Sequence, residues 1–402
     1  MNAIFEKSAL HGSVQAPPSK SMTHRLLICA AMNRSETIIN GVEYSDDILA
    51  TVDCLKALGA EIKTCGDTLT VNGTNFLNAA SPQLNARESG STLRFLLPFA
   101  WLCRGEAVIK ASERLLERPL DVYEEIAKEY GFKLEKSGVL TTSGTLKGGN
   151  YTVRGDISSQ FISGLAFALC CIPCESTITV TEPFESRPYV EMTISALKLF
   201  GNNIDYDGNI INIKGGYSVK SALCRISVEG DWSNSAFLDV YNYLGGNVSV
   251  NGLNDNSLQG DKIYREYFKA IKDGTPTLDL SYCPDLAPIL IALAAAKNGA
   301  RFTGTRRLAA KESDRGKAMA QELLKFGIRL ELAENKITVP KGVLSAPAEA
   351  LSGHNDHRIV MAFSTLLTVT GGKIDGAEAV KKSFPSYFNV LKELGANVTL
   401  TY

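Results

Sequence analysis

The sequence predicts an α/β protein of two similar domains, each built from three βαβαββ units. Three observations predict it: a helix–glycine–strand-pair segment that recurs six times, a second series of six apolar helices interleaved with the first, and one irregularity of spacing that both series share.

The first series opens with "VDCLKALGAEIKTCGDTLTVNG". Its apolar residues fall at three- and four-residue spacing, as an amphipathic helix requires. Gly59 suits a left-handed stop, and two short strands flank a Gly-Asp turn. The plan returns in "VYEEIAKEYGFKLEKSGVLTTSG" with Gly131 and in "ISALKLFGNNIDYDGNIINIKG" with Gly201. It returns again in "YREYFKAIKDGTPTLDL", in "MAQELLKFGIRLELAENKITV" with Gly327, and in "FNVLKELGANVTL" with Gly395. The second series consists of helices without a wide polar face, beginning near Ser21, Ser91, Ser158, Ser233, Asp285 and Asn355. Successive starts are 70, 67, 75, 52 and 70 residues apart, and the short interval recurs in the first series as the 55 residues from Lys272 to Gly327. Helices that are apolar all round belong at the centre of a domain. Their N-termini then converge, and converging helix N-termini attract anions. Three units starting at Ser21 end just before "EGDWSNS", which predicts chain crossings near Ala16–Lys20 and Glu229–Asp231.

Composition narrows the function. The chain has 402 residues, 45% hydrophobic and 21% charged, and a formal net charge of -1. Neither sign runs in blocks, so nucleic acid and membrane surfaces are not expected partners, and any basic site must be local. No apolar run is long enough to span a bilayer. The nine cysteines are scattered, and "MNAIFEKSALHG" has no secretory segment, so reduced thiols in a cytoplasmic enzyme are expected. Cys171 and Cys174 have a CxxC spacing without the second pair that a zinc site needs, and the four histidines have no ligand spacing. No metal is implied.

The starts of the buried helices are cationic. "PPSKSMTHR" sets Lys20 and Arg25 at a helix start, where the dipole disfavours cations by a few tenths of a kcal/mol. An anionic ligand would neutralise them and take the free backbone N–H groups; a solvated surface helix is the competing interpretation. The pattern repeats in "ESGSTLRFLLPFA" with Gly90, Ser91, Thr92 and Arg94, in "GDISSQFISGLAFAL", and in "GHNDHRIVMAFSTLL" with Arg358. Arg114 and Arg118 in "ERLLERPL", Lys311 and Arg315 in "AAKESDRGKAMA", and Lys381 and Lys382 in "VKKSFPSYF" add to it. "CPDLAPILIALAAA" alone puts an acid, Asp285, at the start of its apolar helix, either as a plain N-cap or as a base among positive sites. Walker-type and GxGxxG loops are absent, so a nucleotide is not the expected anion.

At these residues the chain resembles the enolpyruvyl transferases, in the branch that acts on shikimate 3-phosphate. Nine segments carry the resemblance in register: "SKSMTHR", "SGSTLR", "ERPL", "GDISSQF", "ESRPY", "PDLAP", "KESDR", "NDHRIVM" and "KKSFPSYF". It implies the inside-out α/β barrel of that family, with transfer of the enolpyruvyl group of phosphoenolpyruvate to the 5-hydroxyl of shikimate 3-phosphate through a tetrahedral ketal, releasing phosphate. It implies no cofactor. One domain, 1–19 plus 230–402, would be the phosphoenolpyruvate and catalytic side. The other, 20–229, would be the shikimate-phosphate side, with the active site in a cleft that closes on that ligand. The resemblance assigns Lys20, Ser21, Arg25, Ser158, Ser159, Gln160, Ser186, Asp285 and Lys311 to shikimate 3-phosphate. To phosphoenolpyruvate it assigns Lys20, Gly90, Arg118, Gln160, Arg315, Arg358 and Lys382. Asp285 would take the 5-hydroxyl proton, while Glu312 and Lys20 would handle protons at the methylene. Glyphosate would occupy the phosphoenolpyruvate site, and glycine rather than alanine at position 90 implies sensitivity to it.

Departures from the family pattern are Pro18 for glycine, Ala309 for arginine, and "SGSTLR" for the usual "NAGT". Arg307 stands where some members bind shikimate phosphate through asparagine, and no contact is assigned to it. The related transferase that uses UDP-N-acetylglucosamine has Lys-Asn at Lys20-Ser21 and a cysteine on the loop that here reads "ASERLLERPL". A non-catalytic binder of phosphorylated carboxylates is the other alternative; it accounts for the cations but not for Asp285 and Glu312. A monomer is expected.

Overall fold

The computed structural model describes residues 1–216 and 225–402, so Cys224 lies outside the described residues. The chain forms two compact units: a middle unit, Lys20–Val228, and a terminal unit made of Met1–Ser19 and Glu229–Tyr402. Each has its own apolar core.

Helices alternate between buried and amphipathic along the chain. In the middle unit the pairs are α1 (Lys20–Met32) with α2 (Asp46–Ala57), α3 (Gly90–Ala100) with the short α4 (Glu113–Glu117) and α5 (Asp121–Tyr130), and α6 (Ser159–Cys170) with α7 (Arg187–Leu199). In the terminal unit they are α8 (Trp232–Asp239) with α9 (Tyr264–Asp273), α10 (Ala287–Ala296) with α11 (Arg315–Leu324), and α12 (His357–Thr370) with α13 (Tyr387–Glu393). The buried helices satisfy their free N–H groups with short polar side chains. Ser89 caps α3, Ser158 α6, Asp231 α8 and Asp356 α12. Gly131 ends α5 at φ 71° and accepts no Cβ penalty there.

Among the described residues five sheets share one order, a parallel pair followed by two antiparallel pairings, and in four of them the last two strands are a hairpin. Ala107–Lys110, for example, has Gln83–Asn85 parallel on one side and the hairpin Val139–Ser143/Lys133–Ser137 on the other. The sixth sheet differs, because His11–Gln15 pairs parallel with Asn247–Asn251 and no hairpin follows. After α9 the chain passes through Gly274, which is extended (φ 179°), directly into Thr277–Asp279 of the next sheet. The expected strand pair of the fourth copy is therefore missing, which is what the 52-residue interval registers. The last copy is completed from the other end of the chain: Asn2–Phe5 lies between Gly372–Asp375 and Val398–Thr401, antiparallel to both. Where the chain leaves the terminal unit and returns to it, Pro18 and Gly230 form an isolated bridge, with Ser19 N–H on Glu229 O at 2.8 Å and Asp231 N–H on Pro17 O at 2.7 Å.

Candidate active site

In the middle unit the first turns of α1, α3, α6 and α7 carry the cationic and hydroxyl side chains. The helix expected from about Ser21 starts at Lys20, whose Nζ donates to Asp47 Oδ2 at 2.8 Å, in the first turn of α2. One turn further, Arg25 is buried. Its Nε donates to Thr193 Oγ1 (2.9 Å), Nη1 to Ser21 O (2.6 Å) and Nη2 to Tyr189 O (2.7 Å). Its guanidinium carbon lies 5.2 Å from the Phe95 ring centroid. All these partners are neutral, and among the described residues no carboxylate pairs with it. Burial brings its pKa down to about 10, with Tyr189 only partly opposing. His24, alongside, is held neutral by burial first and then by Lys20 and Arg25. Its Nδ1 meets Thr51 Oγ1 at 2.8 Å, and a hydroxyl chain continues through Thr92 to Ser89, tying together the starts of α1, α2 and α3.

Gly90 begins α3 with the Arg118 guanidinium laid against it: a β-carbon at position 90 would stand 2.9 Å from Arg118 Nη1. Arg94, read in the sequence as one of the anion-facing cations, turns to the protein instead. Its Nη1 donates to Gln160 Oε1 (2.8 Å) and its Nη2 to Pro119 O (3.1 Å), while Gln160 Nε2 donates to Ser91 Oγ (3.0 Å). The Gln160 amide is thereby oriented with its acceptor towards the arginine. Ser158 Oγ accepts from Gln160 N–H at 3.3 Å, and Ser159 is buried beside it. Ser186 has left-handed φ of 54° at the start of α7, and its buried hydroxyl has no hydrogen-bond partner among the described residues. A strained residue with an unsatisfied hydroxyl at a helix start suits a ligand oxygen. Arg114 belongs elsewhere, in a surface pair with Glu117 at 3.5 Å.

The terminal unit is arranged around Arg315, the first residue of α11, which is 1% exposed. Its Nη1 donates to Asp285 Oδ1 (2.9 Å), Nη2 to Glu312 Oε2 (2.9 Å) and Nε to Asp356 Oδ2 (2.9 Å). Burial lowers its pKa, but Asp356, Glu312 and Asp285 outweigh that and raise it. Asp285 does not cap a helix, so the plain N-cap alternative fails. Its carboxylate accepts from Lys311 Nζ (3.1 Å), Arg315 and Arg358 Nη2 (3.2 Å). Burial alone would push its pKa up; Arg358, Lys311 and Arg315 together hold it well below the usual carboxylate range. Lys311 is lowered by burial, which Asp285 offsets only in part. Asp356, for which the sequence suggested no role, is 0% exposed and does double duty: Oδ1 caps α12 at Arg358 N–H (2.9 Å) and Oδ2 takes Ser313 Oγ (3.0 Å) as well as Arg315. In "KESDR" the helix cap is Asp314, which accepts from Lys317 N–H. Lys382 is buried, with Nζ donating to Asn355 O at 2.6 Å, whereas Lys381 is exposed. Arg307 Nη2 donates to Ser281 O at 2.6 Å, and Ala309 is exposed.

Two clusters result. One holds Lys20, Ser21, Arg25, Gly90, Ser158, Ser159, Gln160 and Ser186 on neighbouring helix starts, with Arg118 reaching Gly90 from the end of α4; the other holds Asp285, Lys311, Glu312, Arg315, Arg358 and Lys382. Asp285 is not alone as an acid at the start of a buried helix, since Asp231 and Asp356 cap α8 and α12; Asp47 and Asp356 were missed because an acid at a helix start reads as a cap. Among the described residues no group of three or more histidines, cysteines or acids is placed to hold a metal ion, and no helix is long and apolar enough to cross a membrane.

The chain matches the family model described as EPSP synthase (3-phosphoshikimate 1-carboxyvinyltransferase) over residues 4–391. A 3-phosphoshikimate 1-carboxyvinyltransferase of Clostridium kluyveri is 37% identical over 414 residues, covering 97% of this chain and 96% of its own. Another, of Clostridium beijerinckii, is 38% identical and covers 96% and 95%. A solved structure of EPSP synthase from Acinetobacter baumannii has a TM-score of 0.78 at 25% identity, covering 99% of both chains.

Proposed function

The chain belongs to the EPSP synthase family and has its 3-phosphoshikimate 1-carboxyvinyltransferase activity; on that premise we propose how its residues divide the reaction. Shikimate 3-phosphate is held by Lys20, Ser21, Arg25, Ser158, Ser159, Gln160 and Ser186 of the middle unit, and by Asp285 and Lys311 of the terminal unit. Phosphoenolpyruvate is held by Lys20, Gly90, Arg118, Gln160, Arg315, Arg358 and Lys382. Two phosphates and two carboxylates are thereby matched with cations whose positions are fixed in advance.

The observation that carries the catalytic reading is the pair of carboxylates on one arginine, Asp285 and Glu312 on Arg315. In this reading Asp285 accepts the proton of the 5-hydroxyl as that oxygen bonds to C2 of phosphoenolpyruvate. Glu312, entering this step in its protonated form and with Lys20 as second carrier, supplies a proton to C3, giving the tetrahedral ketal. Elimination reverses the second transfer: a methyl proton returns to Glu312, the C2–O bond to phosphate breaks, and the proton on Asp285 leaves with the phosphate. Asp285 is a weak base while three cations hold it. Substrate anions compete for those same cations, which withdraws stabilisation from the ionised carboxylate and raises its basicity when both ligands are present.

The test is phosphate release by the purified protein with both substrates, together with the mass of the enolpyruvyl product. Release that requires both supports the reading. Release with UDP-N-acetylglucosamine in place of shikimate 3-phosphate would point to the related transferase, and binding of both substrates without release would point to a non-catalytic binder.

A further inference from the structure

The loop leading into α12 carries Asp356 and Arg358, and its backbone is unusual. His354 and Asn355 are consecutive non-glycine residues in the left-handed region, at φ 48° and 51°. L-residues enter that region at a cost, so a pair of them persists only where the surroundings hold it. The left-handed pair has a consequence for the site: it turns the Asn355 carbonyl to Lys382 Nζ at 2.6 Å and delivers Asp356 to Arg315 Nε at 2.9 Å.

Helix α11 grips this loop at two points. Arg315, its first residue, takes Asp356. Glu322 lies seven residues further, two turns along the same face, and its side chain is 0% exposed. Glu322 Oε1 is 2.9 Å from His354 Nε2, while Oε2 accepts from Ser352 N–H at 3.0 Å and from Lys325 Nζ at 2.8 Å. Lys325 Nζ also donates to Ala350 O at 2.9 Å. One carboxylate therefore fixes the loop at Ala350, Ser352 and His354. Burial disfavours its charge, but the donors from His354, Lys325 and Ser352 prevail, and Glu322 is ionised below the usual pH. An acid buried with a lysine, a histidine and a backbone N–H of one loop is more than a helix needs for folding, since α11 already has its apolar face.

We propose that Glu322 is a positioning residue for phosphoenolpyruvate: through His354 and Ser352 it holds the left-handed turn that sets Lys382, Asp356 and hence Arg315 and Arg358. The proposal rests on the assignment of those cations to phosphoenolpyruvate. A displacement of about 1 Å in a binding group is enough to cost one to two orders of magnitude.

The experiment compares Michaelis constants for the two substrates separately. Glu322→Gln, which keeps the volume, should raise KM for phosphoenolpyruvate about tenfold. KM for shikimate 3-phosphate should change by less than about threefold, and kcat should fall by less than KM for phosphoenolpyruvate rises. His354→Ala, at a partly exposed side chain, keeps the test available if Glu322→Gln folds poorly, and should move the same constant in the same direction. Because both act through one contact, the double variant should be no worse than Glu322→Gln alone. A role in folding alone would lower the unfolding midpoint and leave both Michaelis constants in place; that result, or full additivity in the double variant, overturns the proposal. Lys382→Met is the control. If it leaves KM for phosphoenolpyruvate unchanged, the assignment of the site falls and this inference with it. If it raises that KM while neither Glu322→Gln nor His354→Ala does, the site stands and only this inference falls.

Discussion

In the terminal unit the buried Arg315 is neutralised by carboxylates, whereas in the middle unit the buried Arg25 has no carboxylate partner among the described residues. Arg315 has three carboxylates, and one of them, Asp285, is shared with Lys311 and Arg358. Arg25, equally buried, has a hydroxyl and two carbonyl oxygens. Helix starts of the same repeated unit thus use opposite solutions. An arginine surrounded by carboxylates is inexpensive to keep buried without ligand, but those groups must exchange partners when ligand arrives. A cation held by neutral acceptors is less comfortable in the empty protein, and on the proposed assignment an anionic group of shikimate 3-phosphate would supply the missing charge. The contrast fits the proposed division, in which the terminal unit supplies the base and the middle unit chiefly binds.

The largest effect should come from Asp285→Ala. Loss of a positioned base lowers kcat by about 10²–10⁴-fold, while shikimate 3-phosphate, held chiefly by the middle unit, still binds in a calorimeter. Near-normal turnover would make Asp285 only a counter-ion. Next, Arg25→Met should raise KM for shikimate 3-phosphate by roughly 10- to 100-fold, since a hydrogen bond to a charged group is worth about 1.5–3 kcal/mol. An equal rise in both Michaelis constants would blur the division between the units.

A third effect is alkaline. Arg25 titrates at about 10, and Lys311 lies below its ordinary value, each because burial disfavours the charged form. Both lose charge as pH rises, so KM for shikimate 3-phosphate should climb towards pH 10, several-fold, and Lys311→Arg should move the rise to higher pH. The stability sign is opposite: the folded state binds these protons less tightly than the unfolded chain, so folding gains as pH rises through the same window. A flat profile to pH 10 would mean that neither charge serves binding. The smallest effect is that of Gly90→Ala. The added methyl meets the movable end of Arg118, so KM for phosphoenolpyruvate should rise only a few-fold. The longer glyphosate should lose roughly tenfold or more in inhibition, about 1–3 kcal/mol of overpacking. Equal losses for both ligands would show that Arg118, not ligand length, sets the penalty.

Much of the fold was legible because it is periodic. Twelve helices announced themselves through two interleaved hydrophobic patterns, and the glycines marked their ends. The missing hairpin after α9 was visible only as a short interval, since "TPTLDL" has the composition of a strand whichever sheet it joins. Site residues at helix starts were legible as cations in unfavourable places. Their partners were not: nothing local marks Asp47 for Lys20, Thr193 for Arg25 or Glu322 for His354, because each pair is made by packing between distant segments. Arg94 shows the converse error, where the right residue type at the right place faces the protein.

Unfolding of the ligand-free protein tests the difference in charge balance between Arg315 and Arg25 without substrates. Urea unfolding of Arg25→Met and Arg315→Met is measured beside the parent under identical conditions. Arg315→Met takes the arginine from Glu312 and Asp356 and leaves Asp285 to Lys311 and Arg358, and should cost about 3–5 kcal/mol. Arg25→Met removes a buried charge that no carboxylate pairs with, and should cost less than about 1 kcal/mol or stabilise the protein. Equal losses in the two variants, or the larger loss for Arg25→Met, would contradict the account.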